Sequence, residues 1–104
     1  MENMEQYLTV DFIEPSIDFV LVGKRVQAFL ADKGQGLPSH VHSRSHALFV
    51  VSGSIVIRIL DDRCNVTTHY HDAWDQPVEL PEDKWHEIEA SEDNTIFITV
   101  HDES

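Results

Sequence analysis

Apolar residues recur along this chain in short runs with a period of two, and polar turn-formers interrupt them at close intervals. Residues 7–13 read as a strand closed by Glu14-Pro15-Ser16. Residues 17–22 follow, and Gly23-Lys24 turns the chain into a third run over 25–31. Residues 32–38 hold several turn-formers and read as a loop. His40-Val41-His42 is extended, Ser43-Arg44-Ser45 turns the chain, and His46 opens a strand that continues through 47–51. Ser52-Gly53-Ser54 makes a tight connection to residues 55–60. Only Arg58 breaks the apolar character of that run, so it should be covered on both faces for most of its length. A turn over 61–65, a strand over 66–71, a loop over 72–77 and a short strand over 78–80 come next. The last strand spans 95–100, after the polar turn Ser91-Glu92-Asp93-Asn94. Many short strands with closely spaced turns indicate an all-β sandwich or barrel. There is no repeat, linker or low-complexity tract, which leaves one domain over residues 1–104.

One segment resists this pattern. In residues 81–90, Pro81 stands first, acids fill the opening turn, and Trp85 and Ile88 are three apart. Local rules alone read it as a helix.

Charge narrows the class of partner. The formal net charge is −12, and the seven basic residues are scattered. A field of that sign repels phosphate backbones and anionic lipid, so neither nucleic acid nor a membrane is expected as a partner. The apolar runs are too short to span a bilayer, and the acidic residues 1–6 do not resemble a secretory signal. The single Cys64 cannot form an internal disulfide. A free-thiol, cytoplasmic protein is the expectation.

The candidate chemistry lies in histidines. Three of the seven, His40, His42 and His46, fall within residues 40–46. In a strand, His40 and His42 project to one face about 7 Å apart, so two imidazoles can converge on one ion. His69 and His71 share that spacing but have no partner histidine at a matching interval, and they are expected on an outer strand facing solvent. His101, at the end of the last strand, is expected at the surface.

The spacing Gly34-x5-His40-x-His42-x3-His46-x6-Gly53 resembles the first motif of the cupin superfamily, with His46 where most cupins carry glutamate. The second motif, Gly-x5-Pro-x-Gly-x2-His-x3-Asn, falls on Asp75, Pro81, Asp83, His86 and Ala90. Its intervals hold, while both glycines are aspartates and the asparagine is alanine. The two motifs occupy residues 34–53 and 75–90. The resemblance implies a small jelly-roll β-barrel, the double-stranded β-helix, and it turns residues 81–86 from a helix into a turn entering a strand.

Carried over by position, the resemblance makes His40, His42, His46 and His86 the ligands of one divalent transition metal per chain. Four imidazoles suit Fe, Ni, Zn, Mn or Cu. With histidine in place of glutamate the ion keeps its full charge, which raises an iron potential and favours anionic or enolate-like ligands. Inward alternation would line the cavity with Leu48, Val50, Ile57, Ile59 and Ile88, which offer no general base, so no catalytic side chain is assigned. The resemblance implies a metal-dependent enzyme acting on a small molecule, either dioxygenase-like or a Lewis-acid lyase or isomerase. The alternative is a non-catalytic metal- or small-ligand-binding module. Small cupins commonly pair, so a homodimer is expected, with residues 7–13 placed to join a neighbour's sheet.

Overall fold

A computed structural model describes residues 10–40, 46–61, 63–80 and 84–102. The described residues form ten strands and no helix: β1 (Asp11–Phe12), β2 (Ile17–Leu21), β3 (Lys24–Ala31), β4 (Gln35–His40), β5 (His46–Ser52), β6 (Ser54–Leu60), β7 (Val66–Asp72), β8 (Val78–Leu80), β9 (Trp85–Ala90) and β10 (Thr95–Asp102). They make two five-stranded sheets, ordered β1-β4-β9-β6-β7 and β2-β3-β10-β5-β8. All pairings are antiparallel except β1 with β4.

Alternation along each strand sends one set of side chains between the sheets. Ile55, Ile57, Ile88 and Ala90 come from the first sheet, and Phe29, Leu48, Val50 and Phe97 from the second; all are nearly inaccessible. Phe29 and Phe97 are ladder partners, and their rings stack with centroids 5.0 Å apart. The expected inward positions Leu48, Val50, Ile57 and Ile88 lie in this core, and Ile59 packs against it.

The turns follow their local chemistry. Asp61 Oδ1 accepts from the backbone amides of Arg63 and Asn65, both at 2.8 Å, which closes the 61–65 turn. Gly53, at φ +76°, joins β5 to β6 where an added Cβ would collide with Thr95 Oγ1.

One sequence reading is corrected. Residues 35–38 belong to β4, where the turn-formers pointed to a loop. The true turn is at Lys33-Gly34, with Gly34 at φ +91°, and Gly36 lets β4 press against the backbone of Ile88 in β9. Pro38 is accommodated because the β4–β9 register shifts between Leu37 and His40, the kind of irregularity that tolerates a missing amide. Residues 85–90 are strand β9, as the motif resemblance implied against the local helix rules. Its even positions are buried through neighbours on β4 and β6, an environment that outweighs weak helical propensity.

Asp11–Phe12 pairs with Gln35–Gly36 of its own chain at the edge of the first sheet. Residues 7–9 of the strand expected there lie outside the described residues.

Candidate metal centre

The register brings the backbones of His40, His46 and His86 to one end of the sandwich. His40, the last residue of β4, is the direct ladder partner of His86 in β9. His86 also sits opposite Ile59, near the end of β6. His46, the first residue of β5, is opposite Leu80 of β8 and His101 of β10. The tight Gly53 connection joins the end of β5 to the start of β6, so the start of β5 lies where β6 finishes. His46 is therefore at the same end as His86, on the facing sheet. His42 falls outside the described residues, and the side chains of His40 and His46 are not among those described.

His86 shows how its strand readies an imidazole. Its alternation with Ile88 and Ala90 turns it inward, and it is 1% exposed. Nδ1 lies 3.0 Å from the carbonyl oxygen of Lys84. A carbonyl only accepts, so Nδ1 carries a proton here, and the neutral ring has its lone pair on Nε2. Metal-bound histidines are commonly fixed in this way, with the second ring nitrogen donating to a backbone carbonyl. The residue fits a metal ligand. Among the described residues no three potential ligand side chains form a cluster.

The second sheet corrects the expectation of a wholly apolar lining. Its inner face is graded: Phe29, Phe97 and Val50 form one row, Gln27, Thr99 and Leu48 the next, and Arg25 and His101 the outermost. Arg25 holds Asp18 of β2 through Nε to Oδ1 at 2.9 Å and Nη2 to Oδ2 at 2.7 Å, and Gln27 Nε2 adds a 3.3 Å bond. The Arg25 guanidinium keeps the Asp18 carboxyl below the usual carboxylate range, and His101 contributes more weakly in the same direction.

His101 lies at the end of the last strand, less exposed than the surface position expected of it. It is half-buried, and it continues the inward alternation of Thr95, Phe97 and Thr99. Extending that alternation past Val100 would have found it. His69 is exposed as expected, whereas His71 is half-buried opposite Ile55 on the edge strand β7.

No family model and no curated protein matches the chain. Solved structures do. An RmlC-like cupin family protein with a double-stranded β-helix fold, from Methanocaldococcus jannaschii, superposes with a TM-score of 0.64 at 15% identity, over 76% of this chain and 69% of that one. The chain has the cupin fold. Within larger cupins, hydroquinone 1,2-dioxygenase PnpCD in complex with Fe3+ gives a TM-score of 0.72 at 19% identity over 86% of this chain. An oxalate decarboxylase of Bacillus subtilis gives 0.68 at 20% identity over 77%. This chain spans only 28% and 21% of those two proteins. On the cupin fold, the first motif runs from the Gly34 turn through β4 and β5 to Gly53, and the second ends on β9 with His86 and Ala90.

Proposed function

We propose that this chain is a single-domain, metal-binding cupin that uses His40, His42, His46 and His86 to hold one divalent transition metal and acts as a metal-dependent enzyme on a small molecule. The observation that carries the reading is His86, a fully buried imidazole whose Nδ1 is committed to Lys84 O and whose ladder partner is His40. The likeness to a dioxygenase structure containing Fe3+ and to an oxalate decarboxylase supports the same reading. When bound, a divalent ion supplies Lewis acidity and, if it is iron, a redox couple. The chain's own residues provide the rest. Paired strands hold the ligand positions rigidly, the Phe29–Phe97 floor excludes water from below, and Thr99 and Gln27 supply polar groups beside the site. Dioxygenase-like chemistry leads, and a Lewis-acid lyase or isomerase would use the same residues.

The reading carries a cytoplasmic homodimer with no nucleic-acid or membrane partner. Support for the dimer is an exposed apolar row on the outer face of the second sheet. Ile17, Phe19, Leu21 and Leu30 are 45–60% exposed there, three of them on the edge strand β2. Such a row, on and beside the edge strand among the described residues, is suited to association with another sheet.

The test is elemental analysis of protein purified with and without air, beside His42→Ala. About one iron per chain, lost or oxidised in air and absent from the variant, supports oxygen chemistry. Air-stable zinc, nickel, copper or manganese favours the Lewis-acid branch, or the binding module if no turnover follows. A chain that takes up no metal on titration overturns the reading.

A further inference from the structure

The outer face of the second sheet is apolar across its width. Strand register sets Ile17, Ala28, Ile98 and Phe49 in one line over β2, β3, β10 and β5. The next line, through Phe19, Val26 and Val100, is apolar as well. These side chains are out of phase with the buried Phe29, Phe97 and Leu48, so alternation turns them away from the core. The face rises at both sides. Ile17, Phe19 and Leu21 stand 45–60% exposed on β2, and beyond Phe49 the ring of Trp74 is 72% exposed.

Trp74 is held there at a backbone cost. Its φ is +69°, in the left-handed region that bulky residues seldom enter. Its amide donates to Val50 O at 2.9 Å, and that of Ala73 donates to Gly53 O at 3.0 Å. Its ring meets Phe49 edge-on, with centroids 5.4 Å apart. Strain of this kind persists where the surroundings over-determine the conformation, and it concentrates at functional positions. Here it presents to solvent a tryptophan, a residue type enriched among the energetic anchors of interfaces.

Charge and size point to a second copy of this chain as what covers the face. The net charge is −12, so two copies repel wherever their acidic surfaces meet. On this face the charged positions among the described residues are few. Lys24 and Asp102 bind one another at one end, and Glu79 lies on the far edge strand β8. A sheet face of this kind packs on its own copy with little like-charge contact. Five strands, the longer ones of eight residues, cover roughly 600 Å² in plan. Side-chain relief brings that toward the about 800 Å² per partner of a stable interface. A twofold axis parallel to the strands exchanges the two lateral edges, which lays the Trp74 side of each copy over the β2 row of the other.

We propose that the second sheets of two copies pack face to face, with Trp74 of each copy buried against the β2 row of the other. The inference rests on the homodimer reading above and assigns its interface and its anchor, in place of strand addition through residues 7–13.

The test follows mass and fluorescence together on the full chain over a wide range of concentration. Trp85→Phe leaves Trp74 as the one tryptophan. Its emission should move to shorter wavelength as the light-scattering mass rises from one chain to two. Trp74→Ala should weaken the dimer at least about thirtyfold, the fold-change of an interface anchor. A dimer as tight in Trp74→Ala as in wild type, or an emission that stays fixed while the mass doubles, overturns the inference and leaves a homodimer built on another surface. A single-chain mass at every concentration in wild type overturns both. The fluorescence of Trp85→Phe decides the matter even if Trp74→Ala fails to fold.

Discussion

Gly36 is where a missing side chain determines how two strands approach. It is buried in β4, and a Cβ there would run into the carbonyl oxygen of Ile88 on β9. Backbone cannot yield as a flexible side-chain tip would. Gly36→Ala should therefore cost about 1–3 kcal/mol, the range for overpacking, read as a lowered urea midpoint with an unchanged slope. Because β4 carries His40 opposite His86, metal affinity should fall with stability. Charge at a single residue gives a second prediction. Amide donation from Asn65, then Arg63, holds the Asp61 carboxyl below its ordinary range. A depressed carboxyl contributes stability above its unfolded pKa and loses it as pH falls through the lower folded value. Urea midpoints measured from neutral to acidic pH should fall in wild type below the ordinary aspartate range, and fall less in Asp61→Asn.

Adjacent elements share an ion pair on the outer face of the first sheet. Arg58 of β6 reaches Glu87 and Glu89 of β9 at 2.7 and 2.8 Å. Glu87 is 4% exposed, and its Oε2 has no hydrogen-bond partner among the described residues, so this carboxylate depends on Arg58. Desolvation disfavours the Arg58 charge, but the bonds to Glu89 and Glu87 outweigh it and raise the guanidinium pKa. Arg58→Met should cost about 1–3 kcal/mol by leaving a buried carboxylate uncompensated. Adding Glu87→Gln should recover part of that loss in the same denaturation assay, because the stranded charge is then removed. The pair also braces β9, the strand that carries His86, from the opposite face of the sheet.

The described residues combine a stacked aromatic core, an end that carries His40, His46, His86 and His101, and an apolar outer wall. That wall makes association testable independently of metal. Wild type should elute with a light-scattering mass of about twice the 11.9 kDa chain, and Phe19→Asp should shift it to the single-chain mass. A wild-type mass equal to one chain would remove the homodimer from the proposal.

Much of this architecture was legible in local pattern. Period-two alternation marked most strands, and Asp61-Asp62-Arg63-Cys64-Asn65 and Ser52-Gly53-Ser54 marked their turns, because turn geometry and face alternation are set by neighbours in sequence. The motif spacing brought His40, His46 and His86 forward and overrode the local helix signal of residues 81–90. Three features depended on contacts between distant residues. Gln35–His40 became a strand because β9 offered a ladder and Gly36 allowed close approach. The polar row of Gln27 and Thr99 emerged only when β3 and β10 aligned. His101 looked like a terminal surface residue until β10 extended to Asp102 and set it opposite His46. By itself the sequence determined which residues alternate, where the chain turns and which histidines share a motif. Only the tertiary structure decided which histidines stand opposite one another, because cross-strand register is a relation between residues far apart in the chain.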